Sequence, residues 1–137
     1  MRANFKLLGV VSTIEVRDSE GRWVVQAKEI LRMIEKGEDV NIKSRVIKGD
    51  LDLSELALEE VLVERDRFEI DVMNVSEKCK VVKSFIKIHD CLIEDSVNFS
   101  GIIFEKVVRF DGTLFNKSVS FRGSKFYKEL GFLGYKV

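Results

Sequence analysis

The residues with the most reactive side chains lie together near the middle of the chain, as His89, Asp90 and Cys91. A histidine can activate a neighbouring nucleophile as a general base when the two lie within hydrogen-bonding reach. His89 is the sole histidine, and no serine, cysteine or second histidine has a spacing that would complete such a pair. We therefore expect His89 to be a surface residue and the chain not to be an enzyme.

The two cysteines, Cys79 and Cys91, are the other candidates for chemistry. Two cysteines and one histidine do not form a recognisable zinc set, which takes four ligands. Cys91 has the spacing of a small inward-facing residue, where a thiol acts as a compact hydrophobe. A disulfide between the two stays open, although an intracellular setting disfavours it. The sequence thus predicts no metal site and no cofactor.

Asp50 and Asp52 alternate outward on a predicted strand. Neighbouring carboxylates of this kind are common on protein surfaces, and no further ligand converges on them in the sequence. We expect no catalysis there.

Composition excludes further classes of function. The chain has 137 residues with 23 basic and 23 acidic side chains, which gives a net charge of zero and argues against bulk electrostatic partners such as nucleic acid. No apolar run is long enough to span a membrane, and glycine and charge interrupt the N-terminal stretch too early for a signal peptide. The sequence therefore predicts a soluble, cytoplasmic protein.

A repeat in the C-terminal third determines which elements hold these residues. Glycines recur every eleven residues, each two places after a phenylalanine, at Gly101, Gly112, Gly123 and Gly134. A fixed period of this kind is typical of solenoids. Pairs two residues apart, such as Val97 with Phe99 and Ile102 with Phe104, indicate very short strands, and each glycine suits a corner with positive φ. An antiparallel meander is the alternative, but its strands would need about five or six residues.

The pattern resembles the pentapeptide-repeat proteins, in a Phe-centred form with an eleven-residue period. The resemblance is strong over Val97–Phe132, weak over Ile86–Ile93, and returns over Val40–Leu58. It implies a mainly β fold, a right-handed quadrilateral parallel β-helix. If two elevens make one turn, Phe99 lies under Phe121, Phe104 under Phe126 and Phe110 under Phe132.

The N-terminal region has a different period. From Trp23 onward, apolar residues follow helical spacing at Val24, Ala27, Ile30, Leu31 and Ile34, and Gly37 is placed as a C-cap. We expect an α-helix over Val24–Lys36 that covers the open end of the β-helix, with partner binding as the alternative role. Before it, Val10–Val16 alternates like a strand and turns at DSEGR. The predicted organisation is an arm and capping helix over 1–39 and a β-helix over 40–137.

The repeat frame fails between Glu59 and Lys83, because extending it would bury Glu64, Arg67 and Glu69. We interpret 59–83 as an irregular coil or an excursion. Segments that interrupt a rigid solenoid often carry function, although an insertion without a partner is an equal alternative.

Charge is unevenly distributed along the chain. Residues 41–82 have a net charge of −3 and residues 83–137 have +3. Lys106, Lys117 and Lys128 recur every eleven residues. In a four-sided coil Lys117 faces away from the other two, so we expect no continuous phosphate-binding stripe and no direct binding of nucleic acid.

Two functions remain. The first is a non-enzymatic structural or protein-interaction module whose partner is unknown. The second follows only from the resemblance, since some pentapeptide-repeat proteins mimic DNA and protect a gyrase. Such mimics are elongated acidic rods, whereas the best-ordered repeats here are net basic, so we prefer the first.

The end of the repeat suggests self-association. The array stops at LGFLGYKV, with no helix or charge cluster to cover the final coil. An uncovered coil edge is a template for pairing with another chain. We expect a two-fold, end-to-end homodimer through Leu130, Phe132, Leu133 and Tyr135, with a monomer as the alternative.

Overall fold

The computed structural model describes residues 15–134. Most of the regular structure is β, in four sheets. Sheet 1 holds β1 (Glu15–Arg17), β2 (Trp23–Gln26), β4 (Val46–Lys48), β9 (Leu92–Ile93) and β13 (Leu114–Phe115). Sheet 2 holds β5 (Leu51–Asp52), β10 (Val97–Asn98) and β14 (Val119–Ser120). Sheet 3 holds β6 (Glu60–Leu62), β7 (Lys78–Val82), β11 (Ile102–Phe104) and β15 (Lys125–Phe126). Sheet 4 holds β3 (Val40–Lys43), β8 (Ile86–His89), β12 (Val108–Arg109) and β16 (Leu130–Gly131).

Three short helical segments complete the described part of the chain. They are α1 (Ala27–Glu35), a 3₁₀ turn (Leu53–Glu55) and α2 (Arg67–Asp71).

The strands that pair in parallel within a sheet are related by one turn of the chain. The pairs Val97–Val119, Phe104–Phe126 and Val108–Leu130 are each 22 residues apart and parallel. Val40 pairs instead with Ile86, 46 residues later, because an insertion separates the first turn from the second. Parallel strands reached by successive turns of one chain are compatible with a β-solenoid, as the sequence predicted.

The glycine corners are confirmed. Gly101, Gly112, Gly123 and Gly134 all have φ between 67° and 71°. This is the left-handed region, which a side chain disfavours and glycine adopts readily. Each corner redirects the chain from one short strand to the next.

Phenylalanine rings from successive turns form the core, in the predicted pairs. Phe104 stacks on Phe126 with ring centroids 5.0 Å apart, and Phe110 stacks on Phe132 at 5.5 Å. Phe99 contacts Phe121 edge-on, at 5.6 Å. Phe99, Phe104 and Phe110 are fully buried. Burial of each aromatic side chain removes about 150–250 Å² from water and contributes several kcal/mol, so these rings hold the narrow coil together.

Inward hydroxyl groups are satisfied by the neighbouring turn. Thr113 Oγ1 donates to the carbonyl oxygen of Ile88 at 2.7 Å, and Ser124 Oγ donates to that of Phe99. Both residues directly follow a corner glycine. A small polar residue is therefore tolerated inside the coil at this point, because its hydroxyl group has a carbonyl partner.

Helix α1 packs against the core of the coil, and its bounds differ from those predicted. Ile30, Met33 and Ile34 are buried in the same core as Leu51 and Leu53. The expected start at Val24 is wrong, because Trp23–Gln26 is a strand paired with both β1 and β4. Val24 and Ala27 have the spacing of one helix, but Val24 is on the strand and Ala27 is in the helix. A strand that leads directly into a helix can bury both residues.

A hairpin joins β1 to β2 through the predicted DSEGR turn. Asp18 Oδ1 accepts from the backbone N–H groups of Glu20 and Arg22, both at 2.9 Å, and Gly21 has φ 79°. The rest of the expected Val10–Val16 strand lies outside the described residues. Strand β2 pairs in parallel with β4, 22 residues later, and the division of the chain at residues 39 and 40 stays a prediction.

Candidate interaction surfaces

The cysteines, the histidine and the aspartates considered above all lie within the described part of the chain. Within residues 15–134 no group of three or more histidine, cysteine or acidic side chains is arranged to hold a metal ion. Cys79 and Cys91 are both buried and unpaired, so the disulfide left open by the sequence is absent. Burial raises the pKa of the Cys91 thiol, as suits a compact apolar residue.

His89 differs from its predicted surface position. It is half-buried, and its Nε2 is shielded from solvent without a hydrogen-bond partner among the described residues. The reason is that His89 is the last residue of the four-residue strand β8, and β8 lies between β3 and β12 in sheet 4. Nothing in this arrangement makes His89 the base of a nucleophile.

The sheets carry an ordered excursion at residues 59–77, where the sequence indicated an irregular segment up to 83. Strand β6 runs antiparallel to β7, and β7 already belongs to the parallel array through its pairing with β11. Between them α2 begins with a capping box, in which Asp66 and Glu69 each accept from the other's backbone N–H. The excursion is therefore a folded unit with its own local structure.

A second, small core attaches the excursion to the outside of sheet 3. Cys79, Val81 and Ile103 are buried together, and Val61 and Val63 of the excursion pack against them. The outward side chains of β7 and β11 are thus apolar where the excursion covers them.

Arg65 anchors the excursion at the corner that follows sheet 2. Its side chain is only 2% exposed. The guanidinium group donates to the carbonyl oxygen of Gly123 at 2.6 Å and to that of Ser76 at 3.1 Å, and it contacts Cys79 Sγ at 3.2 Å. Glu69 lies 3.4 Å away and supplies the opposite charge. A buried arginine with several acceptors holds its partners rigidly, because moving an acceptor away would leave the buried positive charge without a compensating partner.

Lys80, which follows the excursion, is hydrogen-bonded to residues that precede it. Its Nζ donates to the carbonyl oxygens of Ser54 and Leu56 at 2.6 and 2.7 Å. These carbonyl groups lie just before the excursion departs. These hydrogen bonds therefore connect the chain before the excursion to the strand that follows it.

An apolar patch is exposed on α2 and the residues after it. Phe68, Val72 and Met73 are 60%, 66% and 41% exposed. The backbone N–H groups of Val72 and Met73 both donate to the carbonyl oxygen of Phe68, so the three residues belong to one turn. We call them the excursion patch. Leu62 on β6 is a further exposed residue, at 77%.

Acidic residues surround the patch in sequence. Residues 59–77 contain seven acidic and two basic side chains, a net charge of −5. Arg65, one of the two bases, is buried, and the other, Arg67, pairs with Asp71. Glu60, Glu64 and Glu77 are exposed and form no ion pair among residues 15–134. The excursion therefore combines exposed apolar residues with a net negative charge.

The last coil, residues 114–134, contains three of the four interface residues expected from the sequence. Leu130 and Phe132 are half-buried and pack against the core, whereas Leu133 is 74% exposed. Tyr135 lies outside the described residues. Phe121 and Phe126 are also half-buried, unlike the fully buried rings one turn earlier. The inner residues of the last coil are thus covered on one side by the preceding turn.

The last coil is basic. It contains four basic side chains and one acidic side chain, a net charge of +3. Glu129 pairs with Arg109 and Lys117 with Asp95, while Arg122, Lys125 and Lys128 have no ion pair within the described part of the chain. Lys106 and Lys128 lie between sheets 3 and 4, and Lys117 lies between sheets 1 and 2, so the three lysines form no single stripe.

An open cleft of about 380 Å³ lies beside the β1–β2 turn and is lined by Arg22, Trp23, Ser44 and Asp90. The guanidinium group of Arg17 lies 4.3 Å from the centre of the Trp23 ring, and Arg22 pairs with Asp18 at 2.8 Å. These contacts stabilise the hairpin, and they already engage the aromatic and basic groups that an anionic ligand would need.

No helix among residues 15–134 combines the length and the apolar composition that crossing a bilayer requires. Comparison with protein-family models, with curated proteins and with solved structures finds no match to this chain.

Proposed function

We propose that the chain is a non-enzymatic protein-interaction module built on a right-handed quadrilateral β-helix of the pentapeptide-repeat kind. Four sheets, a 22-residue register and stacked inward phenylalanines support this architecture. The right hand follows from the strong preference of parallel strand connections for right-handed crossing.

One observation carries the functional part of the proposal. The excursion presents exposed Phe68 and Val72 on a unit that the buried Arg65 fixes to the coil. Exposing apolar side chains on a rigidly held element is unfavourable unless a partner covers them, and such patches mark interaction sites. A rigid support also lowers the entropy lost on binding.

The experiment is affinity capture from the native host with parent protein and the Val72→Lys variant, followed by binding of the identified partner to both purified proteins. We expect the parent to bind and Val72→Lys to bind at least about tenfold more weakly. Lys43→Glu, at an exposed position of β3, is the matched control and keeps parental affinity. A partner that binds Val72→Lys and the parent equally would contradict the proposal.

The alternative, a DNA mimic that acts on a gyrase, needs an acidic rod. The largest acidic excess is on the excursion, with a net charge of −5, and the last coil has a net charge of +3. We therefore expect no inhibition or protection in a gyrase supercoiling assay at stoichiometric protein. Either effect would establish the alternative.

A further inference from the structure

We propose that the partner of the excursion patch is a second copy of this chain, whose basic last coil receives it in a two-fold dimer. The inference rests on the proposed interaction function and names the surfaces that meet. Each protomer contributes its excursion patch to the last coil of the other.

Charge is the first reason. The excursion has a net charge of −5 and the last coil +3. On the excursion the acids without ion pairs among the described residues are Glu60, Glu64, Asp66 and Glu77, and on the last coil the corresponding bases are Arg122, Lys125 and Lys128. Contact between two last coils alone would bring basic surfaces together, which is unfavourable. Contact between the excursion and the last coil pairs opposite charges, and complementary charges of this kind set the register of an interface.

Apolar surface is the second reason. Phe68 and Val72 on the excursion are 60% and 66% exposed, and Tyr127 and Leu133 on the last coil are 62% and 74% exposed. The two surfaces thus each combine large apolar side chains with charges of one sign. Burial of the apolar groups supplies the driving force, and the charges supply the specificity.

The positions of the two surfaces allow a closed dimer. Arg65 donates to Gly123 in the last coil at 2.6 Å, and Val75 lies so close to Gly123 that an added Cβ would meet its Cγ1 at 2.7 Å. Helix α2 lies between these two anchors in the chain. The patch is therefore carried beside the last coil at one end of the molecule. A two-fold axis at this end applies each contact twice and stops growth at two copies.

Interface size is the third reason. One turn has 22 residues on four sides, so each side spans about 5–6 residues or ~18 Å, and the end of the coil is a square of roughly 300 Å². An end of that area falls well short of the ~800 Å² that each partner contributes to a standard interface. The excursion supplies additional area that the coil end lacks.

Charge reversal tests the proposal on the full chain. One variant carries Glu64→Lys and Glu77→Lys, and the other carries Lys125→Glu and Lys128→Glu. The matched control carries Glu55→Lys and Lys43→Glu, which are exposed positions on the first turn. Circular dichroism confirms the fold of each, and sedimentation velocity measures association over a range of protein and salt concentrations.

We expect the parent and the control to form dimers that weaken with added salt, and each reversed variant to dimerise at least about tenfold more weakly. An equimolar mixture of the two reversed variants should recover the dimer in part, because one contact then joins an unchanged excursion (−5) to an unchanged last coil (+3), and the other joins the introduced lysines to the introduced glutamates. A reversed excursion that dimerises like the parent would overturn the proposal in favour of contact between last coils alone. A monomeric parent would also overturn it, while leaving open the interaction function, which the capture experiment tests separately.

Discussion

The ring of Phe110 lies parallel to that of Phe132, one turn later, with centroids 5.5 Å apart and planes inclined by 16°. Phe110 is fully buried, whereas Phe132 is half-buried. This pair marks the step from a fully buried turn of the core to a half-buried one.

Replacement of Phe110 should reveal how much stability the stacked rings provide. We expect Phe110→Ala to lower the free energy of unfolding by about 3–5 kcal/mol, because it leaves a cavity between turns. The control is Lys117→Ala, which removes only an exposed pair with Asp95 and should change stability by less than about 0.5 kcal/mol. Urea denaturation measures both, and effects in the reverse order would mean that the inward frame is shifted.

The corner glycines offer a test of backbone strain. Gly112→Val should lower stability by more than ~1 kcal/mol, because φ 68° is unfavourable for a branched side chain. An added Cβ would also meet Asp90 Oδ1 at 2.1 Å, whereas at Gly101, with φ 67°, nothing lies within 4 Å. Gly101→Val should therefore be the milder of the two. Melting temperatures equal to that of the parent would refute the corner assignment.

Arg65 should be essential for holding the excursion in place. We expect Arg65→Ala to lower stability by about 1.5–3 kcal/mol and to speed amide exchange over 66–77, because hydrogen bonds to a charged group are lost. Arg67→Ala is the matched control, since Arg67 is 90% exposed and pairs only with Asp71 at the surface. Its effect should stay below about 0.5 kcal/mol. Equal exchange in the two variants would show that Arg65 is not the anchor.

Acid should weaken the fold partly through Asp111. The guanidinium group of Arg109 donates to this carboxylate at 2.7 Å and lowers its pKa, and the N–H of Leu133 donates to it at 2.9 Å. A pKa below the unfolded value stabilises the fold above about pH 4, and that stability is lost as the pH falls through the folded pKa. Between pH 7 and pH 3 we expect Asp111→Asn to lose less stability than the parent in urea titrations. Equal losses, with Glu55→Gln as the exposed control, would contradict this coupling.

Sequence spacing was sufficient to predict the inward residues and corner glycines of the last two turns. Each eleven-residue repeat has pairs of inward residues two positions apart and a glycine at the same position. The phenylalanine pairs follow directly from that spacing. The predicted start of α1 was wrong, because the spacing of Val24 and Ala27 fits a helix and equally fits a strand that leads into a helix.

The candidate site was only partly predictable. The failed frame at 59–83 located the excursion, and the Asp66 to Glu69 spacing of a capping box was present as a signal for α2. The buried position of Arg65 had no such signal, because its partner Gly123 lies 58 residues away. Exposure of Phe68 and Val72 likewise depends on how the excursion packs, which periodicity does not report.

The most direct measurement is amide hydrogen exchange of the unmodified chain as a function of protein concentration. As the dimer forms, segments 66–73 and 122–134 should gain protection together, while β3 and β4 of the first turn should not change. Protection confined to 122–134 would contradict docking of the excursion patch on the last coil.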